Sequence, residues 1–247
     1  ENLIYFGDQA HIPYGPRPKA EIRKFSIEIT HFLLMQGAKL IVLACNTASA
    51  AALHALRDYY QEVPFVGMEP AVKPAAELTE TGKVGVLATP TTFSGDLYAS
   101  VVERFGQGVQ IYTSTCPGLV EQIENGQLDT PKTCEIIENA LIPMLEAGID
   151  TIVMGCTHYP FVIPLIQTIT GPSVRIIDPA PAIARQTQRL LKQSDMINNT
   201  NDGGNITFYS SAEASHMARL LPLFIGEDGL VLPVRWSQGP TKEILPH

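Results

Sequence analysis

One unit of sequence occurs twice in this chain, and it constrains the fold more than any other feature of the 247 residues. The first copy reads Gly37-Ala-Lys-Leu-Ile-Val-Leu-Ala-Cys45-Asn-Thr, the second Gly148-Ile-Asp-Thr-Ile-Val-Met-Gly-Cys156-Thr-His. In each, a stretch with helical apolar spacing ends at a glycine, and a cysteine follows eight residues later at the close of an apolar run. Each copy then passes through a helical stretch to a short strand ending in acid-Pro-Ala. These are Glu69-Pro70-Ala71 and Asp178-Pro179-Ala180, 24 and 22 residues beyond the cysteine. A helix–strand–Cys–helix–strand unit used twice predicts an α/β fold: two pseudosymmetric lobes of mainly parallel sheet with flanking helices, and a cleft between them. The competing reading is that βα units resemble one another without any duplication.

Short β-rich apolar runs recur at 3–6, 40–43, 64–66, 84–87, 109–112, 151–154, 174–177 and 206–209, with helix-like stretches between most of them. In 20–36, Ile22, Phe25, Ile29, Phe32 and Leu33 share a helical face, and Gly37 fits a C-cap. Ile136, Ile137, Ala140, Leu141 and Leu145 do the same in 131–147, where Pro143 predicts a kink. The polar, Asn/Gly-rich stretch 193–205 reads as a loop. The expected organisation is a discontinuous first lobe, 1–70 with 182–247, and a second lobe over 71–181.

A net charge of -8 without a long run of one sign argues against a nucleic-acid surface and for small-molecule partners or further copies of the chain. Four cysteines are too few for a disulfide scaffold of this size, and no long apolar span or secretory signal is visible. The expectation is a reduced, cytoplasmic protein that does not enter membranes.

A cysteine where a parallel strand turns into a helix lies in the crevice where such sheets bind ligands, at a helix N-terminus that favours the thiolate. Cys45 and Cys156 both fit, although small buried hydrophobe is the common fate of a cysteine. A matched pair of thiols facing one substrate is a pair of acid/base groups, and His158 can hold or relay a proton beside Cys156. Zinc held by Cys45, Cys156 and His158 is disfavoured because no Cys-x-x-Cys knuckle is present, and the same lack disfavours a redox pair. Cys116 and Cys134 lack comparable flanks and read as structural. Asn46, Thr47, Thr157, Thr89 and Thr92 offer donors for a carboxylate at strand ends, where helix capping is the plainer alternative. Pro13-Tyr14-Gly15 forms a rigid turn. Neither a Walker loop nor G-x-G-x-x-G after a strand is present, so nucleotide binding lacks support.

Tyr5-Phe-Gly-Asp8 with Pro13-Tyr-Gly15, Ala44-Cys-Asn-Thr-Ala-Ser49 and Gly155-Cys-Thr-His-Tyr-Pro160 together resemble bacterial glutamate racemases, of the aspartate/glutamate racemase superfamily. The resemblance runs over about 1–192, and the last fifty or so residues match only in general character. It implies a cofactor-independent, homodimeric enzyme that interconverts L- and D-glutamate for peptidoglycan. By the family pattern, Cys45 takes the proton from D-glutamate and Cys156 from L-glutamate, with His158 assisting Cys156. Asn46, Thr47, Thr89, Thr92, Thr157 and the Pro13-Tyr14-Gly15 turn match substrate-binding positions, and Glu121 resembles the acid near the second thiol. Members of the family begin with a strand and an Asp-Ser-Gly-x-Gly-Gly loop, whose Asp assists the first cysteine and whose Ser binds substrate. The present sequence starts after that point, which implies a Cys45 without its partner and reduced activity and stability. Aspartate racemisation, and amino-acid binding without turnover, are the alternatives.

Overall fold

A computed structural model describes residues 1–199, 203–237 and 244–246. Strand β1 (Leu3–Gly7) leads through a 3-10 helix (Gln9–His11) to α1 (Lys19–Met35), β2 (Ile41–Leu43), α2 (Asn46–Tyr59) and β3 (Phe65–Gly67). The middle of the chain forms α3 (Val72–Leu78), β4 (Lys83–Ala88), α4 (Pro90–Phe93), α5 (Asp96–Phe105), β5 (Gln110–Ser114), α6 (Leu119–Glu124) and α7 (Pro131–Glu146). Then follow β6 (Thr151–Gly155), a second 3-10 helix (Tyr159–Val162), α8 (Ile163–Thr170), β7 (Arg175–Ile177) and α9 (Ala180–Gln193). The chain continues through β8 (Ile206–Ser210), α10 (Ala214–Ile225), β9 (Val231–Trp236) and β10 (Ile244–Pro246).

All eight expected strands are present, and the two lobes are α/β with mainly parallel pairing. The central sheet, in the order β5-β4-β6-β7, is entirely parallel. It is covered on both faces, which is why its strands read as continuous apolar runs. Leu87, Ile152 and Met154 face a core built with Leu119, Ile137 and Leu141, while Val84, Val86 and Val153 face Val72, Ala75 and Val101. Each such side chain, fully withdrawn from water, contributes roughly 1.5–3 kcal/mol. In the other lobe β2 pairs β3 in parallel, with Ile41, Leu43, Leu53, Leu56 and Phe65 between the sheet and its helices, and a further sheet runs β1-β8-β9-β10.

The repeated unit has the same register in both copies. Ile41 faces Phe65 and Thr151 faces Arg175, an offset of 24 residues in each pair. Both cysteines therefore leave the C-terminal end of a strand whose parallel partner carries the acid-Pro-Ala turn.

Three expectations change. Helix α7 continues as one helix through Pro143, because that residue lies in its last turn, where few backbone bonds depend on it. Strands β9 and β10 are additions to the expected set, since Pro233 inside Val231–Trp236 argues against a strand. The polar loop does separate α9 from β8, with residues 200–202 outside the described residues.

Candidate active site

Cys45 follows β2 and is the N-cap of α2, its backbone extended and its Sγ accepting the Ala48 N–H at 3.4 Å. Apolar Ala-rich packing seats the first turn of that helix, so Asn46, Thr47, Ala48 and Ser49 are all buried. The expected gain for the thiolate from the helix N-terminus is outweighed here. Loss of solvent pushes the Cys45 thiol up to about 11, the nearby Cys156 adds to the rise, and bonds from Ala48 and Thr47 only partly offset it. Asn46 is 2% exposed, and neither its Oδ1 nor its Nδ2 has a hydrogen-bond partner among the described residues. An unmet buried amide costs about 1–3 kcal/mol, so this side chain is suited to a polar ligand.

Three hydroxyls close into a ring beside it. Thr47 Oγ1 lies 2.8 Å from Thr89 Oγ1 and 3.3 Å from Thr92 Oγ1, and the last two are 3.0 Å apart. Thr89 caps α4 with Pro90 at the first helical position, a capping arrangement that also aims the hydroxyl at Thr47. The Pro13–Gly15 turn is held against the same helix start, because Thr91 Oγ1 donates to the Gly15 carbonyl at 2.6 Å. A Cβ at Gly15 would sit 3.1 Å from the Thr89 side chain, so the close approach favours glycine there.

Tyr14 packs with Cys45 and with Ile22 of α1. Its hydroxyl donates to Asp8 Oδ2 at 2.6 Å. The Asp8 carboxylate is buried and also accepts from Ser211 Oγ and Trp236 Nε1 at 2.7 and 2.8 Å, with His11 Nδ1 3.0 Å away. Burial alone would raise Asp8, but the bonds from His11, Tyr14 and Ser211 hold it below the usual carboxylate range.

Cys156 follows β6 and is buried, yet it does not cap an α-helix. A 3-10 helix rich in ring and branched side chains, Tyr159-Pro-Phe-Val162, intervenes before α8 starts at Ile163. The expectation of a helix N-terminus at this thiol is corrected accordingly. Instead His158 Nδ1 lies 4.0 Å from Cys156 Sγ, and His158 Nε2 lies 2.7 Å from Glu124 Oε1. Burial tends to push His158 down, but the thiol and the carboxylate more than reverse this and raise it to about 10. Glu124 moves the other way: bonds from His158 and Gln9 overcome burial and lower it. Thr157 is half-buried between Cys156 and His158. Cys116, expected to be structural, shares the core with Cys156 and Tyr159, and burial pushes it up to about 12.

Cys45, Asn46, Thr47, Thr89, Thr92 and Tyr14 are thus brought together on one side, and Cys156, Thr157 and His158 on the other. Glu121 is not joined to them: it is exposed, and the acid on His158 is Glu124, one helical turn further along α6. Both glutamates lie on the same short helix, and periodicity alone does not choose between residues three apart. Glu121 instead borders a groove of about 490 Å³, also lined by Gln9, Pro13, Glu124, His216 and Arg219. Gln9 and Thr91 escape sequence reasoning because isolated polar residues in loops carry no periodic signal. Among the described residues, no three His, Cys, Asp or Glu side chains converge as a metal site requires.

The model of the Asp/Glu/hydantoin racemase family matches residues 1–187. A glutamate racemase of Roseiflexus sp. (strain RS-1) is 46% identical over 222 residues, 90% of this chain and 82% of the relative. The crystal structure of the Bacillus anthracis glutamate racemase isoform RacE1 superposes with a TM-score of 0.82 at 29% identity, covering 94% of this chain and 86% of that one. The Francisella tularensis glutamate racemase, solved in complex with D-glutamate, gives 0.81 at 28% identity over 96% and 88% of the two chains. With the family model spanning most of its length and its thiol units in matching register, the chain belongs to the Asp/Glu/hydantoin racemase family.

Proposed function

We propose that this family member interconverts L- and D-glutamate, with Cys45 and Cys156 as the two proton-transfer groups. The observation that carries the reading is the pair of thiols leaving equivalent strand ends, each near enough for one to raise the pKa of the other, beside a buried Asn46 with an unmet amide. Inversion at a carbon requires one group to remove the α-proton while a second delivers a proton to the opposite face, and two thiols can exchange these roles. Cys45 takes the proton from D-glutamate and Cys156 from L-glutamate. The imidazolium of His158, fixed by Glu124, stabilises the Cys156 thiolate or returns its proton. Asn46, Thr47, Thr89, Thr92, Thr157 and the Tyr14–Gly15 backbone bind substrate and stabilise charge as it develops on its carboxylate. In this reading Glu124 takes the role expected of Glu121. The mechanism calls on no cofactor.

The lobes divide as 1–70 with 182–247, and 71–181. In support, β4 to β7 fall within the second range, and β1 to β3 and β8 to β10 outside it. A homodimer in the cytoplasm, supplying D-glutamate for peptidoglycan, completes the proposal. No described helix is long and apolar enough to cross a membrane.

Incubation of each glutamate enantiomer in deuterium oxide, followed by proton NMR and chiral analysis, tests the reaction. Deuterium at the α-carbon of the racemised product from both enantiomers is expected. Exchange without inversion leaves one working thiol, and tight binding with no exchange overturns catalysis in favour of an amino-acid-binding protein.

A further inference from the structure

Gln9 sits where the two lobes meet, and both ends of its amide are engaged. Its Oε1 accepts from Ser210 Oγ at 2.9 Å, and its Nε2 donates to Glu124 Oε2 at 3.0 Å. Ser210 ends β8, opposite Gly7 of β1, while Glu124 ends α6 in the other lobe. The other oxygen of Glu124 holds His158, whose second ring nitrogen faces Cys156. A continuous polar chain therefore runs Ser210–Gln9–Glu124–His158–Cys156 from the β1-β8 sheet to one thiol. Its direction is set at both ends. Ser210 Oγ accepts the Ala212 N–H at 3.2 Å, leaving its proton for the Gln9 oxygen, and an ionised Glu124 can only accept, so the amide NH2 must point at it. The Cys45 thiol has no such chain: its bonds are to residues of its own helix start.

We propose that Gln9 is a positioning residue for the Cys156 proton transfer, fixing Glu124 and thereby His158 against that thiol through the contact between lobes. The proposal rests on the two-thiol reading. A carboxylate anchored at only one oxygen can rotate about its final side-chain bond, and the imidazole it orients then loses its aim at the thiol. Gln9 holds the second oxygen, and it does so from the opposite lobe. Separation of the lobes breaks this bond first on the Cys156 side and leaves the immediate bonds of Cys45 intact.

The test is Gln9→Met, which keeps the side-chain length and removes both polar ends, assayed with α-deuterated L-glutamate and α-deuterated D-glutamate. Because both directions share one equilibrium constant, kcat/KM must fall equally in each, by about tenfold for a lost hydrogen bond to a charged group. The isotope effects on kcat/KM need not move together. A slower step at Cys156 raises the effect with L-glutamate toward its intrinsic value and lowers the effect with D-glutamate toward unity. A merely structural lesion lowers both rates and leaves the two isotope effects where they were, and that result overturns the proposal. Ser210→Ala frees the other end of Gln9 and is expected to shift the same ratio by less; if Gln9→Met fails to fold, an unshifted ratio in Ser210→Ala overturns the proposal instead. The unaltered chain separates the two failures. If it shows a primary isotope effect with each enantiomer and Gln9→Met leaves the ratio unchanged, the Gln9 role is wrong and the two-thiol reading stands. If it shows none with either enantiomer, the two-thiol reading falls and the Gln9 proposal with it.

Discussion

Cys45 and Cys156 end strands with the same register and the same acid-Pro-Ala partner, yet their surroundings have diverged. Strand β6 is paired on both sides and buried along its whole length, while β2 pairs only β3 among the described residues and leaves Val42 36% exposed. Cys45 is tuned by backbone and hydroxyl donors alone. Cys156 is tuned by an ion pair, His158 with Glu124, that is anchored from the other lobe. The repeat thus supplies two positions for a thiol, while the chemistry of each is set by residues outside the repeat. One thiol depends on a helix start, and the other depends on how the lobes meet.

The largest effect is expected from removing either thiol. Cys45→Ser and Cys156→Ser should each lower racemisation by about 10²–10⁴-fold, the usual range for a lost acid or base. The two should differ in what remains: Cys45→Ser exchanges the α-proton of L-glutamate, and Cys156→Ser that of D-glutamate, read by NMR in deuterium oxide. Residual exchange of the same enantiomer in both would break the comparison.

Next in size is Glu124→Gln, expected to cost about 10- to 100-fold in kcat/KM, the equivalent of one charge-assisted hydrogen bond. Glu121→Gln should stay within about twofold, as for an exposed side chain away from such features. Steady-state assays that ranked them the other way would return the role to Glu121.

A third comparison concerns the residues just before the thiols. A Cβ at Gly155 would lie 2.8 Å from the Leu87 carbonyl oxygen and 2.7 Å from the Ala88 Cβ, whereas Ala44 already carries a methyl group and is exposed. Gly155→Ala should cost about 1–3 kcal/mol as overpacking, and Ala44→Gly less than about 1 kcal/mol. Urea denaturation of both would sharpen or remove the asymmetry.

The smallest expected effect lies in the pH dependence of stability. His158 is raised from 6.5 to about 10, so its contribution is fully present below 6.5 and is lost as pH rises through about 10. Glu124 is lowered from 4.5, so its contribution is present above 4.5 and is lost as pH falls through the depressed value. Between these limits the pair stays charged. NMR titration of the His158 ring should show its pKa falling in Glu124→Gln, with the alkaline loss of stability moving to lower pH. An unchanged titration would leave Cys156 alone responsible for the shift.

Much of this was legible in the sequence, for physical reasons. Parallel strands buried on both faces leave apolar runs that need no partner to be recognised, so the ends of β4 and β6 could be read closely. The thiol contexts were visible because strand, cysteine and capping residues are local. Strand β9 was obscured by Pro233, whose tolerance depends on the partners it meets. Among the site residues, Glu124 and Glu121 share a helix and differ only in which faces His158, a matter of tertiary packing. Gln9 carried no signal at all, because its role comes from two residues more than 100 positions away.

The ring formed by Thr47, Thr89 and Thr92 has a further property. Each hydroxyl has one proton and two lone pairs, and three of them in a closed circuit can be satisfied in either rotational sense without moving a heavy atom. An anion that takes the proton of any one member opens the circuit and leaves the other two lined up behind it, each polarising the next. The trio then acts as a single donor whose polarity is chosen by the guest, which suits a site that must receive mirror-image molecules on equal terms.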